Sequence, residues 1–114
     1  MIVVIFELEA NPGHEAAYFS LAADLKRELE TVDGFVSVER FQSLTQSGRY
    51  LSLSTWRDED AVKAWRRMQA HRTAQSQGRS SVLSHYRLRV AEVMRDYTLT
   101  DRAEAPADSR DIYG

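Results

Sequence analysis

The stretch IVVIFELE, residues 2–9, is rich in β-branched side chains and predicts a strand at the start of the fold. Every second residue from Ile2 to Leu8 is apolar and forms one face, while Val3 and Ile5 begin a second apolar face. A strand that is apolar on both sides is covered on both sides. Helices in a chain of 114 residues can cover only one face of a sheet. The stretch therefore predicts that a second copy of the chain covers the other face.

The rest of the chain alternates between helical and strand periodicity. Asn11 is predicted to cap a helix that begins at Pro12, with an apolar stripe from Tyr18 to Val32. A second helix is predicted to point four side chains inward: Ala61, Ala64, Trp65 and Met68. The remaining predicted segments are a hairpin of strands 35–43 and 50–56, a further helical turn or two bent away within 70–78, and a last strand over 86–99 that carries Leu88, Val90 and Met94 on one face.

The predicted order β-α-β-β-α-β is that of the ferredoxin-like α+β fold, an antiparallel sheet with both helices on one side. Residues 1–100 are expected to form this one domain. Residues 101–114 are small, polar and acidic, and are expected to form a flexible C-terminal tail without regular structure.

Composition narrows the classes of function. The net charge of −2 argues against a nucleic-acid binder, and the absence of cysteine suits a reducing cytoplasm. The apolar run near the N-terminus is too short for a signal peptide or a membrane span, so we expect a cytoplasmic protein that does not contact membranes. Residues 57–95 carry nine bases against four acids. This block is either a solvated surface or a field that favours an anionic small ligand.

A succession of motifs carries a family resemblance. A predicted strand ends at Trp56, Trp65 follows nine residues later, and then come the stretch 70–75, which contains His71, and the strand 86–93. This succession resembles the antibiotic-biosynthesis monooxygenase family, which includes haem-degrading monooxygenases. The resemblance implies a dimeric α+β barrel. It also implies a pocket between the sheet and the second helix, in which aromatic substrates are oxygenated without a prosthetic group or haem is bound and cleaved.

The resemblance also suggests site residues. Trp65 matches a tryptophan of the second helix, whereas Phe6 and Gln75 stand where the haem-degrading branch has an asparagine and a histidine. His71, one helical turn before Gln75, is a candidate base, since an imidazole has a pKa near ~6.5. The candidate catalytic residues are Trp65, His71 and Tyr86, and the candidate substrate-binding residues are Phe6, Trp56 and Gln75.

Each candidate also has a purely structural explanation. Trp65 has the spacing of a helical core residue, Trp56 favours core over site, and His71 fits a surface position beside arginines. No two histidines have metal-ligand spacing on a helix, so no metal site is expected. Two functions follow: an oxygenase for a bulky aromatic, with no cofactor expected and haem the alternative, or a non-catalytic module that binds a hydrophobic anion.

Overall fold

The structure is a computed structural model that describes residues 1–75 and 82–113, with side chains described for residues 1–69 and 82–112. Its elements are β1 (Ile2–Ala10), α1 (Glu15–Leu29), β2 (Phe35–Gln42), β3 (Arg49–Trp56), α2 (Glu59–Gln75), β4 (Leu83–Glu92) and α3 (Ala107–Tyr113). The four strands form one antiparallel sheet in the order β2-β3-β1-β4. The predicted ferredoxin-like α+β fold is confirmed. No helix in the described part of the chain is long and apolar enough to cross a membrane.

The central strand β1 defines the two faces of the sheet. Its even-numbered residues from Ile2 to Ala10 face α1 and α2, and we call this face the helix side. Its odd-numbered residues from Val3 to Glu9 form the opposite face, which we call the helix-free side. Paired residues of neighbouring strands share a face, so each side of β1 extends across the whole sheet.

Two apolar clusters hold the helices against the helix side. One joins Trp56, Leu29, Val32, Ala61 and Val62, and the other joins Leu8, Tyr18 and Ala22. Trp56 and Leu8 are each only 1% exposed. Full burial of such side chains stabilises the fold by about 1.5–3 kcal/mol each.

Two tight local structures fix how α2 enters. Asp58 Oδ1 accepts a hydrogen bond from the Ala61 backbone N–H at 2.9 Å, and this bond lowers the pKa of the Asp58 carboxyl. Before β2, Gly34 has φ +92°, and a Cβ there would lie 2.7 Å from Ala61 Cβ. Both the backbone conformation and the close approach of α2 therefore require glycine at position 34.

Several sequence predictions of local structure were wrong. Asn11 does not cap α1; its carbonyl accepts a hydrogen bond from the N–H of His14, which occupies the N-cap position. On α2 the buried residues are Ala61 and Val62, whereas Ala64 is exposed and Met68 is largely exposed. The helix is rotated relative to the predicted stripe because its first turn packs against Trp56 rather than along the whole sheet.

The last strand and the C-terminal segment also differ from prediction. Strand β4 ends at Glu92 because Val93 N–H bonds to Met1 O, where β1 begins and offers no further partner. Helix α2 continues without a bend to Gln75, and residues 76–81 lie outside the described part of the chain. A short helix, α3, occupies part of the segment for which no regular structure was expected.

Candidate active site

The helix side of β4 carries a row of apolar side chains that remain exposed. Tyr86, Leu88 and Val90 alternate along this edge strand and are 62%, 52% and 46% exposed. Helix α2 contacts β3 instead, on the other side of β1. The space beside α2 above β1 and β4 therefore forms an open trough with an apolar floor. Exposed apolar side chains that form a contiguous patch indicate a binding surface.

The central strands complete the floor of this trough. Phe6 of β1 lies between Leu88 of β4 and Ser52 of β3, and its ring centroid is 5.6 Å from that of Tyr86. Val4 occupies the next row, between Val90 and Ser54. The two serines are small, so β3 leaves more room above the sheet than apolar core residues would.

Two tryptophans form the end of the trough next to α2. Trp65 is half-buried, and its ring centroid lies 6.4 Å from that of Trp56 beneath it. The Trp56 Nε1–H donates a hydrogen bond to Ser54 Oγ at 2.9 Å. Since Trp56 is buried and its donor is satisfied, it supports the site from below, while Trp65 is the indole that reaches the open space.

The candidate catalytic residues are distributed along the trough rather than gathered at one point. Trp56, beside Trp65, is paired with Ile2 of β1, whereas Tyr86 is paired with Leu8. The six residues between these rows span about 20 Å of strand. Trp65 and Tyr86 therefore lie near opposite ends. His71 and Gln75 belong to α2, but their side chains lie outside the described residues.

A partly buried cation lies behind the floor, and sequence analysis missed it. Arg40 of β2 is paired with Ser52, and its Nη2–H donates to Ala22 O at 2.8 Å. Its Nε is buried without a hydrogen-bond partner among the described residues. Burial raises the pKa of the neighbouring Tyr18 phenol, and the Arg40 charge opposes this shift. Position 40 falls on the helix side by strand alternation, and that was the available signal.

The helix-free side has a different character. Glu7 lies between two arginines, with Arg49 Nη2 at 3.1 Å and Arg89 Nη1 at 3.0 Å from its carboxylate oxygens. The hydrogen bond from Arg49 is the largest cause of a lowered Glu7 pKa. A shallow cavity of about 240 Å³ opens here between the strands, lined by Glu7, Phe41, Gln42, Ser43, Arg49, Tyr50 and Leu51.

The described residues of the trough do not fit a haem-degrading site. Phe6 offers no hydrogen bond at the strand position where the resemblance implies an asparagine. The side chains that line the trough include no histidine or cysteine among those described. The described part of the chain also contains no group of three or more His, Cys, Asp or Glu residues able to hold a metal ion.

Comparisons with known proteins agree with this fold. The family described as antibiotic biosynthesis monooxygenase matches residues 1–77. A jasmonate monooxygenase of Pyricularia oryzae is 43% identical over 93 residues, which are 82% of this chain and 43% of that protein. The chain thus spans less than half the length of this curated relative.

Two solved structures resemble the chain at low sequence identity. MhuD of Mycobacterium tuberculosis, a haem degrader solved with two haems in its active site, has a TM-score of 0.69 at 20% identity, covering 86% of this chain and 100% of that chain. SnoaB of Streptomyces nogalater, a cofactor-independent oxygenase, has a TM-score of 0.68 at 14% identity, covering 83% of this chain and 94% of that chain. At these identities the likeness shows the fold alone.

Proposed function

Because the chain belongs to the antibiotic biosynthesis monooxygenase family, we propose that it is a monooxygenase that acts on a bulky aromatic molecule, such as a quinol or an anthrone, without a cofactor. The substrate would lie in the trough between the sheet and α2. The observation that carries this proposal is the exposed apolar row Tyr86, Leu88 and Val90 on the helix side of β4. A soluble domain exposes such a row where a ligand or partner covers it.

The chemistry requires no metal. A base removes a proton from the activated CH₂ group of the substrate, and the ring system delocalises the resulting carbanion. The carbanion transfers an electron to O₂, and the two radicals combine to a hydroperoxide. This hydroperoxide loses water to leave a carbonyl, so that R₂CH₂ and O₂ become R₂C=O and H₂O. The protein has to supply a base, a hydrogen-bond donor for the developing oxyanion, and a site with little water.

Three side chains are proposed for these roles. His71 of α2 is the base, because an imidazole titrates near ~6.5 and can accept a proton from an acidic C–H or phenol at neutral pH. Trp65 offers its indole N–H, since the only indole beneath it, that of Trp56, already donates to Ser54. Tyr86, toward the other end of the trough, orients a distal carbonyl or hydroxyl of the substrate. Phe6 and Gln75 are proposed to contact the substrate.

A jasmonate-like acid is a second candidate substrate, favoured by the 43% identity to a jasmonate monooxygenase. Such a molecule is a carboxylate on an apolar body. The apolar floor formed by Phe6, Leu88 and Val90 suits the body, and the basic block at 57–95 suits the carboxylate. The same surface could instead hold a hydrophobic anion without chemistry, and turnover distinguishes these two possibilities.

We further propose that the protein is a cytoplasmic homodimer in which two helix-free sides pack together. Val3 and Ile5 of β1 are apolar on this side, Leu51 and Leu53 of β3 lie beside them, and Phe41 of β2 is exposed. An obligate interface of this kind usually buries more than ~2,000 Å² and behaves like a divided core. The Glu7 ion pairs would then lie inside the dimer.

Oxygen consumption tests the activity directly. Purified protein is mixed with an anthrone, a quinol or jasmonate in an oxygen-electrode cell, and product is identified by mass spectrometry with ¹⁸O₂. Incorporation of one labelled oxygen atom with consumption of one O₂ per product supports the proposal. Saturable binding of these compounds without oxygen uptake would establish the binding module instead. A parallel titration with hemin shows whether a Soret shift of defined stoichiometry contradicts the poor fit for haem.

A further inference from the structure

The segment that follows β4 leaves the body of the protein. Val93 N–H makes a hydrogen bond to Met1 O, and residues 94–113, which we call the C-terminal arm, continue beyond the sheet. The Cα radius of gyration is 16.8 Å, whereas a compact chain of this length has about 13 Å. Met94, Leu99 and Ile112 of the arm are 83%, 93% and 73% exposed. The arm therefore presents apolar side chains to solvent.

The arm is nevertheless ordered by its own hydrogen bonds. Thr98 Oγ1 accepts from the Asp101 N–H at 2.8 Å, and Thr98 N–H donates to Asp101 O at 2.8 Å. Arg102 lies over the Tyr97 ring at 5.1 Å and donates to Ser109 Oγ at 2.9 Å. A solvated tail does not repay the entropy of such ordering. A segment that is already ordered loses less freedom when it docks on another surface.

Charge indicates which surface the arm fits. Residues 96–114 carry five acids and two bases, so two arms repel each other. Residues 1–56 are also acidic, with eight acids against four bases, whereas residues 57–95 carry nine bases against four acids. Of this basic block, Arg87 and Arg89 lie side by side on the helix-free side of β4, an exposed edge strand. This strand is the complementary surface for the arm.

We propose that the C-terminal arm of each protomer docks on the basic helix-free side of β4 of a second copy of this chain. The arm runs away from its own β4, so its acids reach the strand of another protomer. Its exposed apolar side chains are then covered together with those of the proposed interface. This inference rests on the homodimer proposed above and adds a specific contact to it.

Dimer dissociation constants of full-length variants test the contact. Leu99→Asp is expected to weaken the dimer by about tenfold or more, since it introduces a charge at a docked apolar residue. Arg87→Glu should weaken it similarly. Leu44→Asp is the matched control, because Leu44 is fully exposed in the turn between β2 and β3. Sedimentation measures the constants, and far-UV circular dichroism checks that each variant folds.

Methionine oxidation provides a second readout without mutation. Dilute hydrogen peroxide oxidises exposed methionines. If the arm docks, Met94 should be oxidised several-fold more slowly in the dimer than after dilution to monomer, while Met68 serves as the internal reference. Equal effects of Leu99→Asp and Leu44→Asp, or no protection of Met94, overturn the arm contact and leave the homodimer intact. A full-length chain that is monomeric at every concentration overturns both proposals.

Discussion

The rings of Phe6 and Tyr86 lie with their centroids 5.6 Å apart and their planes at 50°, across β1 and β4 on the helix side. Tilted aromatic pairs of this kind contribute about 0.5–1.5 kcal/mol when buried. Tyr86 is largely exposed, so the contact matters more for orienting its ring than for holding the fold. Phe6 thereby fixes where the Tyr86 hydroxyl stands at one end of the trough.

The trough is tested by a pair of matched valine substitutions. Val90→Ser places a polar group on the proposed floor, whereas Val36→Ser makes the same change at a valine of β2 that is 58% exposed. Both should change the free energy of unfolding by only about 0.5 kcal/mol. Val90→Ser alone should lower kcat/KM by about tenfold, because it removes apolar contact with the substrate. Equal kinetics for both variants would remove β4 from the site.

Trp65→Phe tests the indole donor. The substitution keeps most of the packing against Trp56 but deletes the indole N–H, so the stability loss should be near ~1 kcal/mol. Turnover should fall much more than binding, since an oxyanion donor acts in the transition state. If stability falls while kcat/KM is unchanged, Trp65 is only a packing residue.

His71→Ala tests the base. We expect a change of unfolding free energy within about ±0.5 kcal/mol, as for an ordinary surface position. The parent enzyme should lose activity as the pH falls below ~6.5, because the protonated imidazole cannot accept a proton. The variant should have low activity with no such dependence. A variant that keeps the parent's rate and pH profile would exclude His71 as the base.

Glu7→Gln tests the ion pairs on the helix-free side. The folded-state pKa of Glu7 is lowered, chiefly by the hydrogen bond from Arg49, so the ionised carboxylate stabilises the fold above the ordinary carboxyl range. This contribution is lost as the pH falls through the lower folded-state pKa. The Tm difference between parent and Glu7→Gln should therefore be present at pH 7 and shrink below about pH 4.5. Glu9→Gln, on the same strand face, is the control and should show no comparable change.

Phe41→Asp tests which face forms the proposed dimer. Phe41 is exposed on the helix-free side of β2, so the change costs the isolated protomer little. Across a dimer it places two buried carboxylates in an apolar interface, which should raise the dissociation constant by at least tenfold. Sedimentation at low micromolar concentration measures this. A variant as dimeric as the parent would show that the helix-free side is not the interface.

The sequence by itself determined the order of the elements and the membership of each sheet face. Strand alternation is a local rule with a period of two residues, so Ile2 to Leu8 and their partners could be assigned to one side without coordinates. The same reasoning identified Trp56 as a core residue. The motif succession around Trp56 and Trp65 identified the family.

Only the tertiary structure decided which of those faces stays open. Alternation assigns Leu88 and Val90 to the helix side, but their exposure depends on where α2 lies, and α2 lies over β3. The rotation of α2 likewise exposes Met68, although its spacing was that of a core residue. Periodicity fixes directions within one element, whereas coverage depends on packing between elements far apart in the chain. The trough, the separation of Trp65 from Tyr86, and the position of Arg40 under α1 all follow from that packing.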